Sequence, residues 1–336
     1  MSWTPRTVLI YILLIVTSGC AQDEARINGV SFVAARDQVD HSHVTPVKQL
    51  GANYAAVMPF GFIRSIESPD IVHNTQRQWF GETRAGAKQY IEKLNENGIQ
   101  VMVKPQIWIS RGEFTGHMKM KTEEAWKALE ASYSDFIMTY VDMAAELKAP
   151  VFCIGTELEQ FIINRPEYWS ELITQIRKKY KGKLTYAANW DEYKRVPFWK
   201  QLDFIGVDAY FPVSNSKTPS VEEVINGWQP WKQEMLSVSE REGKKILFTE
   251  FGYRSVDYTG KEPWVSDRNL GPVNIEAQTN SLKATFETIW DEPWFAGGFI
   301  WKWFIEHDKV GGDQNPMYTP QNKPAQGILE QYFSKQ

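Results

Sequence analysis

The feature that most constrains the fold of this sequence is a series of eight apolar segments rich in β-branched and aromatic residues. The segments span residues 27–34, 53–60, 99–109, 151–159, 184–190, 204–212, 246–253 and 295–304. Most are nearly continuous apolar runs, which is typical of parallel strands covered on both faces. Helical patterns separate most of them. Eight strands alternating with helices predict an α/β protein with a single (β/α)8 TIM barrel.

The helical patterns carry recognisable start and stop signals. Thr122 is a suitable N-cap for the long pattern that follows it, Pro166 occupies a first-turn position, and Gly98 is suited to a helix C-terminus. We expect Pro230 to interrupt the pattern in which it lies, and we expect the polar segment from about residue 308 to form a surface loop before the last helix. For the alternative fold, an open doubly wound sheet, we would expect a glycine-rich phosphate-binding turn after an early strand, and the sequence has none.

The N-terminus reads as a separate targeting segment. Arg6 precedes a short apolar run, residues 8–16, which is followed by Cys20. This layout resembles a bacterial lipoprotein signal. We therefore expect residues 1–19 to be a signal peptide, residues 20–26 a tether, and residues 27–336 the (β/α)8 domain. A lipid on Cys20 would anchor the protein to a bacterial membrane, on the periplasmic or surface side of the outer membrane; an uncleaved N-terminal anchor is the alternative.

Charge and cysteine content exclude several classes. A net charge of −4 provides no basic surface for nucleic acid. Cys153 is the only cysteine besides Cys20, so a disulfide framework is excluded and Cys153 is expected to be a small buried residue. We expect no cofactor and no metal, because His41 and His43 lack the further ligands of a metal site. We expect a monomer.

Two glutamates stand at the ends of predicted strands. Glu157 ends the fourth strand and Glu250 ends the seventh, and in a (β/α)8 barrel the active site lies at these C-terminal ends. Paired carboxylates suit glycoside hydrolysis, in which one acts as nucleophile and the other as acid and then base. Their pKa values must differ. A hydrogen bond from Tyr210 would keep Glu250 ionised, and Glu159 is a competitor for the place of Glu157.

Further candidates surround these glutamates, because sugar sites combine polar groups with flat aromatic platforms. Trp301 is predicted to form the floor of the reacting subsite, and Trp303 is a weaker candidate. Lys104 is expected to reach sugar hydroxyls or a carboxylate, or else to form an ion pair that only joins strands. The other predicted substrate contacts are Trp108, Asn189, Asp208 and Tyr210, with Trp190, Asp191 and Arg64 as weaker possibilities.

A set of motifs carries a family resemblance. Residues 104–108 (KPQIW), 154–159 (IGTELE), 206–212 (GVDAYFP), 249–255 (TEFGYRS) and 297–303 (GGFIWKW) together resemble glycoside hydrolase family 113 of clan A, the β-mannanases. The resemblance implies retaining hydrolysis of β-1,4-mannosidic bonds in mannan or manno-oligosaccharides, with endo action expected. It also implies that Glu157 is the acid/base and Glu250 the nucleophile. Many clan A families have Asn before the acid/base, whereas this chain has Thr156, which leaves the contact to the sugar 2-hydroxyl unassigned.

Two other functions stay open at this point. The first is a different clan A β-glycosidase, such as a β-glucanase or a xylanase. The second is a non-catalytic surface lipoprotein that binds glycans on a barrel scaffold. A binding protein does not need two opposed carboxylates, which argues against the second.

Overall fold

The computed structural model describes residue 1, residues 25–266 and residues 271–335. Cys20 and nearly all of the predicted signal peptide and tether therefore lie outside the described residues. Within the described ranges, no helix is both long and apolar enough to cross a membrane.

The described residues form ten strands and eight α-helices. The strands are β1 (Ile27–Phe32), β2 (Tyr54–Val57), β3 (Phe60–Ile63), β4 (Gln100–Val103), β5 (Gln106–Ile109), β6 (Val151–Thr156), β7 (Lys183–Asn189), β8 (Ile205–Asp208), β9 (Ile246–Phe251) and β10 (Phe295–Trp303). The helices are α1 (His41–Gln49), α2 (Arg84–Glu96), α3 (Glu123–Glu146), α4 (Glu159–Asn164), α5 (Pro166–Lys179), α6 (Val221–Glu242), α7 (Ile275–Ile289) and α8 (Pro324–Phe333).

Eight of the strands close into a parallel barrel. Their order around the barrel is β1, β2, β4, β6, β7, β8, β9 and β10, and β10 pairs with β1 to close it, with Ile27 opposite Gly297. One apolar cluster fills the barrel interior and includes Met102, Leu247 and Phe299, while a larger cluster lies between the strands and the helices. The prediction of a single (β/α)8 barrel is confirmed.

Two of the predicted strands are each divided by a proline. Pro59 separates β2 from β3, and Pro105 separates β4 from β5. A proline has no N–H to donate to the strand ladder, so barrel pairing stops there. Beyond the prolines, β3 and β5 pair in parallel with each other, with Phe60 opposite Gln106. This two-stranded sheet rises from the barrel rim and forms one wall of a cleft.

The predicted helix signals are present in the structure. The Thr122 side chain accepts a hydrogen bond from the Ala125 N–H, Pro166 is the first residue of α5, and Gly98 adopts a φ of +79° just after α2. The left-handed conformation at Gly98 is one that glycine adopts without strain. These residues fix where the helices begin and end around the barrel.

The expectation that Pro230 interrupts its helix was wrong. Helix α6 continues through Pro230. The proline removes the helical partner of the Asn226 carbonyl, but both residues lie on the exposed face, where water can bond that carbonyl. The remaining turns of α6 pack against the core through Trp228 and Met235.

The expectation of a surface loop from residue 308 also needs correction. Tyr318, Gln321 and Lys323 are buried in this segment. The Gln321 amide bonds both main-chain groups of Phe304, accepting from its N–H at 2.7 Å and donating to its carbonyl at 3.0 Å. The segment is polar because its side chains satisfy buried backbone groups, and it brings Tyr318 to the cleft.

Candidate active site

A cleft of about 900 Å³ lies at the C-terminal ends of the barrel strands. Glu157 and Glu250 both line it, and so do Thr156, Asn189, Tyr210 and Trp301. The structure therefore brings the two predicted carboxylates into one cavity, at the place where the barrel topology predicts a site.

Three donors surround the carboxylate of Glu250 at the end of β9. The Tyr210 hydroxyl donates to Oε2 at 2.8 Å, and the Gln106 amide donates to Oε1 at 2.9 Å. The Lys104 ammonium also donates to Oε1. Both oxygens are thus occupied, and the side chain is held in one orientation. The hydrogen bond expected from Tyr210 is present.

A buried ionic cluster lies beneath Glu250. Lys104 is 0% exposed and Asp208 is 1% exposed, and the Lys104 Nζ lies 3.3 Å from Asp208 Oδ1. Thr249 donates a further hydrogen bond to that oxygen at 2.8 Å. Burial raises the pKa of Asp208 to about 7, and the charge of Glu250 adds to this effect while Lys104 opposes it.

Lys104 balances the two acids of this cluster. Burial lowers the pKa of Lys104, but the charges of Asp208 and Glu250 outweigh burial and raise the pKa above its usual value. Lys104 therefore stays an ammonium ion and reaches a carboxylate, one of the alternatives that the sequence suggested. Neither Lys104 nor Asp208 lines the cleft, so their predicted contacts with substrate stay predictions.

Glu157 has a different environment from Glu250. It follows β6 directly, in a left-handed backbone conformation with a φ of +50°. No described residue donates a hydrogen bond to its carboxylate. Burial raises the pKa of Glu157 well above its usual range, and the negative charges of Asp208 and Glu250 raise it further. This environment therefore favours the protonated form of Glu157.

Glu159 does not share this position. It is the first residue of α4 and accepts a hydrogen bond from Arg195 Nε at 2.8 Å. It is absent from the cleft lining. The two-residue spacing from Glu157 does not place both side chains inward, because the strand ends at Thr156 and the chain turns into a helix.

Aromatic side chains form the walls of the cleft. Trp301 from β10 and Trp108 from β5 line it, and Trp108 is 39% exposed. Trp190 stacks on Trp264 with ring centroids 5.2 Å apart and an interplanar angle of 19°. Trp303 is buried outside the cleft lining. Flat apolar faces bordered by polar groups suit the two surfaces of a sugar ring.

The remaining candidates divide between the cleft and the surface. Asn189 and Asp191 line the cleft, and Asn189 Oδ1 accepts a hydrogen bond from the Trp190 N–H at 2.7 Å. Arg64 is exposed and does not line the cleft.

His43 lies in the first turn of α1, where its ring bonds the backbone of Asp40 at 3.1 Å. In the described ranges, no group of three His, Cys, Asp or Glu residues could hold a metal ion.

Sequence reasoning missed Gln106, Glu192 and Trp264. Gln106 lies two residues after Lys104, and the period-two alternation of strands could have identified it as a second donor on the same side. Glu192 is 1% exposed, and burial raises its pKa to about 8. It lies in a turn after β7, and no pattern in the sequence predicts its burial.

Comparisons with known proteins agree with this geometry. The model of Glycoside Hydrolase Family 113 matches residues 34–323. A similar solved structure is the GH113 β-mannanase AaManA from Alicyclobacillus acidocaldarius in complex with ManMIm, at a TM-score of 0.81 and 25% identity, covering 93% of this chain and 98% of that chain. A complex of a GH113 β-1,4-mannanase matches at a TM-score of 0.80 and 21% identity, covering 93% of this chain and 99% of that chain.

More distant structures share the fold alone. A β-glucuronidase from Faecalibacterium prausnitzii matches at a TM-score of 0.60 and 15% identity, covering 92% of this chain and 49% of that chain. A comparison with curated proteins gave no match. Because the family model covers well over half of the sequence, the chain belongs to Glycoside Hydrolase Family 113 and is a glycoside hydrolase.

Proposed function

We propose that the chain is a retaining β-mannanase that cleaves β-1,4-mannosidic bonds, with Glu250 as the nucleophile and Glu157 as the acid/base. The contrast between the two glutamates carries this proposal. Three donors hold the Glu250 carboxylate, whereas Glu157 has a raised pKa and no donor among the described residues. A glycosidase needs two carboxyl groups whose environments separate their protonation states.

In the first step, a carboxylate oxygen of Glu250 attacks the anomeric carbon of the sugar. The glycosidic C–O bond breaks, and the leaving oxygen takes the proton of Glu157. Tyr210, Gln106 and Lys104 orient the attacking carboxylate. Because these groups are already in place, little reorganisation is needed when the charge on Glu250 moves into the new bond.

In the second step, the ionised Glu157 removes a proton from water, and the water oxygen attacks the anomeric carbon. The bond to Glu250 breaks, and Glu250 keeps its electron pair. Two inversions at one carbon give net retention. The charge of Glu250 is neutralised in the intermediate, so Glu157 loses one of the charges that raised its pKa, which suits its change from acid to base.

The mannan substrate is supported by similarity to the GH113 β-mannanase AaManA, which has 25% identity over nearly all of that chain. Trp301 would support the sugar at the reacting subsite, with Trp108 and the Trp190–Trp264 pair along the cleft walls. Platforms in several parts of the cleft fit an extended glycan, which favours cleavage within mannan chains over removal of terminal sugars.

The decisive experiment compares mannan, β-glucan and xylan under identical conditions, using the wild type, Glu250→Ala and Glu159→Ala. We expect release of manno-oligosaccharides by the wild type, loss of this activity in Glu250→Ala, and retention in Glu159→Ala, whose carboxylate bonds Arg195 outside the cleft lining. Preferred cleavage of glucan or xylan would overturn the mannan assignment. Binding of mannan without cleavage by the wild type would favour a glycan-binding function.

We also propose that lipid on Cys20 anchors the protein to a bacterial membrane. The support is the sequence layout alone, with Arg6 and an apolar run before Cys20. Cell fractionation tests it: the wild type should sediment with membranes, and Cys20→Ala should not. A Cys20→Ala protein that stays in the membrane fraction would indicate an uncleaved N-terminal anchor instead.

A further inference from the structure

The turn that carries Glu157 is held by two hydrogen bonds that its backbone donates to the neighbouring strand β7. Glu157 is not a glycine, yet it has a left-handed φ of +50°, which is unfavourable for a residue with a Cβ atom. Its N–H donates to the Ala187 carbonyl at 2.8 Å. The next N–H, that of Leu158, donates to the Tyr186 hydroxyl at 2.6 Å. Such conformations persist where the surroundings fix them.

The Tyr186 hydroxyl is in turn held by the buried carboxyl group of Glu192. It donates to Glu192 Oε1 at 2.7 Å, and the Asn189 N–H donates to Glu192 Oε2 at 3.0 Å. Tyr186 and Glu192 are both buried, and neither lines the cleft. A continuous chain of hydrogen bonds therefore runs from the end of β7, through Glu192 and Tyr186, to the backbone beside Glu157.

We propose that Tyr186 and Glu192 are positioning residues that aim the Glu157 carboxyl group at the leaving oxygen of the glycoside. The proposal rests on the function of Glu157 as acid/base given above. The two residues act only through the backbone of the 157–158 turn, since neither reaches the cleft. The cost of burying the polar carboxyl group of Glu192 is offset by hydrogen bonds at both of its oxygens.

The Tyr186 hydroxyl can be removed without disturbing the packing of its ring. The ring lies among Trp169, Phe198 and Trp199, with centroid distances from 5.7 to 6.2 Å. Tyr186→Phe keeps these contacts and deletes the acceptor for the Leu158 N–H. The turn then loses one of its two anchors on β7.

The kinetic test compares two leaving groups on one sugar. For Tyr186→Phe, kcat/KM on manno-oligosaccharides should fall roughly 10- to 100-fold, because small misplacements of a catalytic group cost up to about 10²-fold. On a dinitrophenyl β-mannoside, kcat/KM should fall less than about threefold, because this leaving group needs little protonation. For the dinitrophenyl β-mannoside, kcat and KM of Tyr186→Phe should fall together, because the second step still needs Glu157 as a base. Glu192→Gln, which keeps only one acceptor, should give an intermediate loss.

Tyr193→Phe is the matched control. Tyr193 is buried in the same turn region, but its hydroxyl donates to Glu234 at 2.7 Å instead of to the 157–158 turn. It should leave the ratio of kcat/KM values between the two substrates unchanged. If Tyr186→Phe lowers kcat/KM by the same factor on both substrates, the ratio is unchanged and the proposal is overturned, because a purely structural residue lowers both rates together.

A second measurement does not depend on activity. Hydrogen exchange of the peptide that contains Leu158 should become faster in Tyr186→Phe and stay unchanged in Tyr193→Phe. Unchanged exchange in Tyr186→Phe would also overturn the proposal. Failure of the proposed function is distinguishable, because Glu157→Ala would then show no dependence on the leaving group. If the wild type cleaves another β-glycoside, the same ratio is measured on that glycoside.

Discussion

Replacement of Asp208 by asparagine should change how the stability of the protein depends on pH. Asp208 is enclosed with Lys104 and Glu250, and its pKa is raised from 3.8 to about 7. Between about pH 4 and pH 7, Asp208 therefore keeps a proton in the folded state that it has already released in the unfolded state. Stability from such a group is fully present below the unfolded pKa and is lost as pH rises through the folded pKa.

The size of the effect follows from this shift. Asp208 should lower the free energy of unfolding by about 1.4 kcal/mol for each pH unit between about pH 4 and pH 7. An asparagine side chain at this position cannot titrate, and it can still accept the hydrogen bond from Thr249. Relative to the wild type, Asp208→Asn should therefore gain roughly 2 kcal/mol between about pH 5 and pH 7, and the difference should level off at higher pH.

Urea unfolding at half-unit pH intervals measures this difference. Asp142→Asn is the control, because Asp142 lies at the surface and pairs with Lys179 at 2.8 Å. It should follow the wild type in parallel over the same range. If the plots of unfolding free energy against pH for Asp208→Asn and the wild type are also parallel from pH 5 to 7, Asp208 is ionised throughout this range and its pKa is not raised.

Three further predictions concern the catalytic step. Azide should restore turnover of a nitrophenyl β-mannoside in Glu157→Ala and give a β-mannosyl azide, because azide attacks without a base. The activity of the same variant on mannan should fall at least roughly 10²-fold. If azide rescues only Glu250→Ala, with retention, the two roles are exchanged. A crystal structure should place the carboxyl groups of Glu157 and Glu250 about 5–5.5 Å apart, whereas a separation of about 9 Å would indicate inversion. In steady-state kinetics, Trp301→Ala should lower kcat/KM on mannotriose about 10-fold, equivalent to about 1.4 kcal/mol. Trp303→Phe is the control, and equal losses of kcat/KM in the two variants would show that Trp301 does not form the subsite.

Barrel strands and the two carboxylates could be predicted because their signals are local. An apolar run identifies a strand, and a glutamate at its end follows the run directly, as in β6 with Glu157 and β9 with Glu250. The barrel topology then brings the two ends together without further information. Lys104 could be noticed for the same reason, since an ammonium inside an apolar run requires a partner.

The parts that could not be predicted depend on loops and on long-range packing. Trp264 reaches the cleft from the loop after β9. Glu192 is buried in a turn whose charged residues would lead one to expect a solvent-exposed segment. The polar segment before α8 was misread because its buried side chains bond distant main-chain groups, as Gln321 does with Phe304. Composition gives no sign of such contacts, because a polar residue that satisfies a buried backbone group looks like a solvated one.

The small sheet of β3 and β5 makes the depth of the cleft adjustable. Val57 pairs with Val103 below the prolines and Phe60 pairs with Gln106 above them, so the same register passes from the barrel into the small sheet. Adding two residues to each strand beyond the prolines would raise this wall and keep every side chain on its present face. The barrel pairs would not change. The height of this wall can therefore be engineered independently of the carboxylates at the barrel mouth.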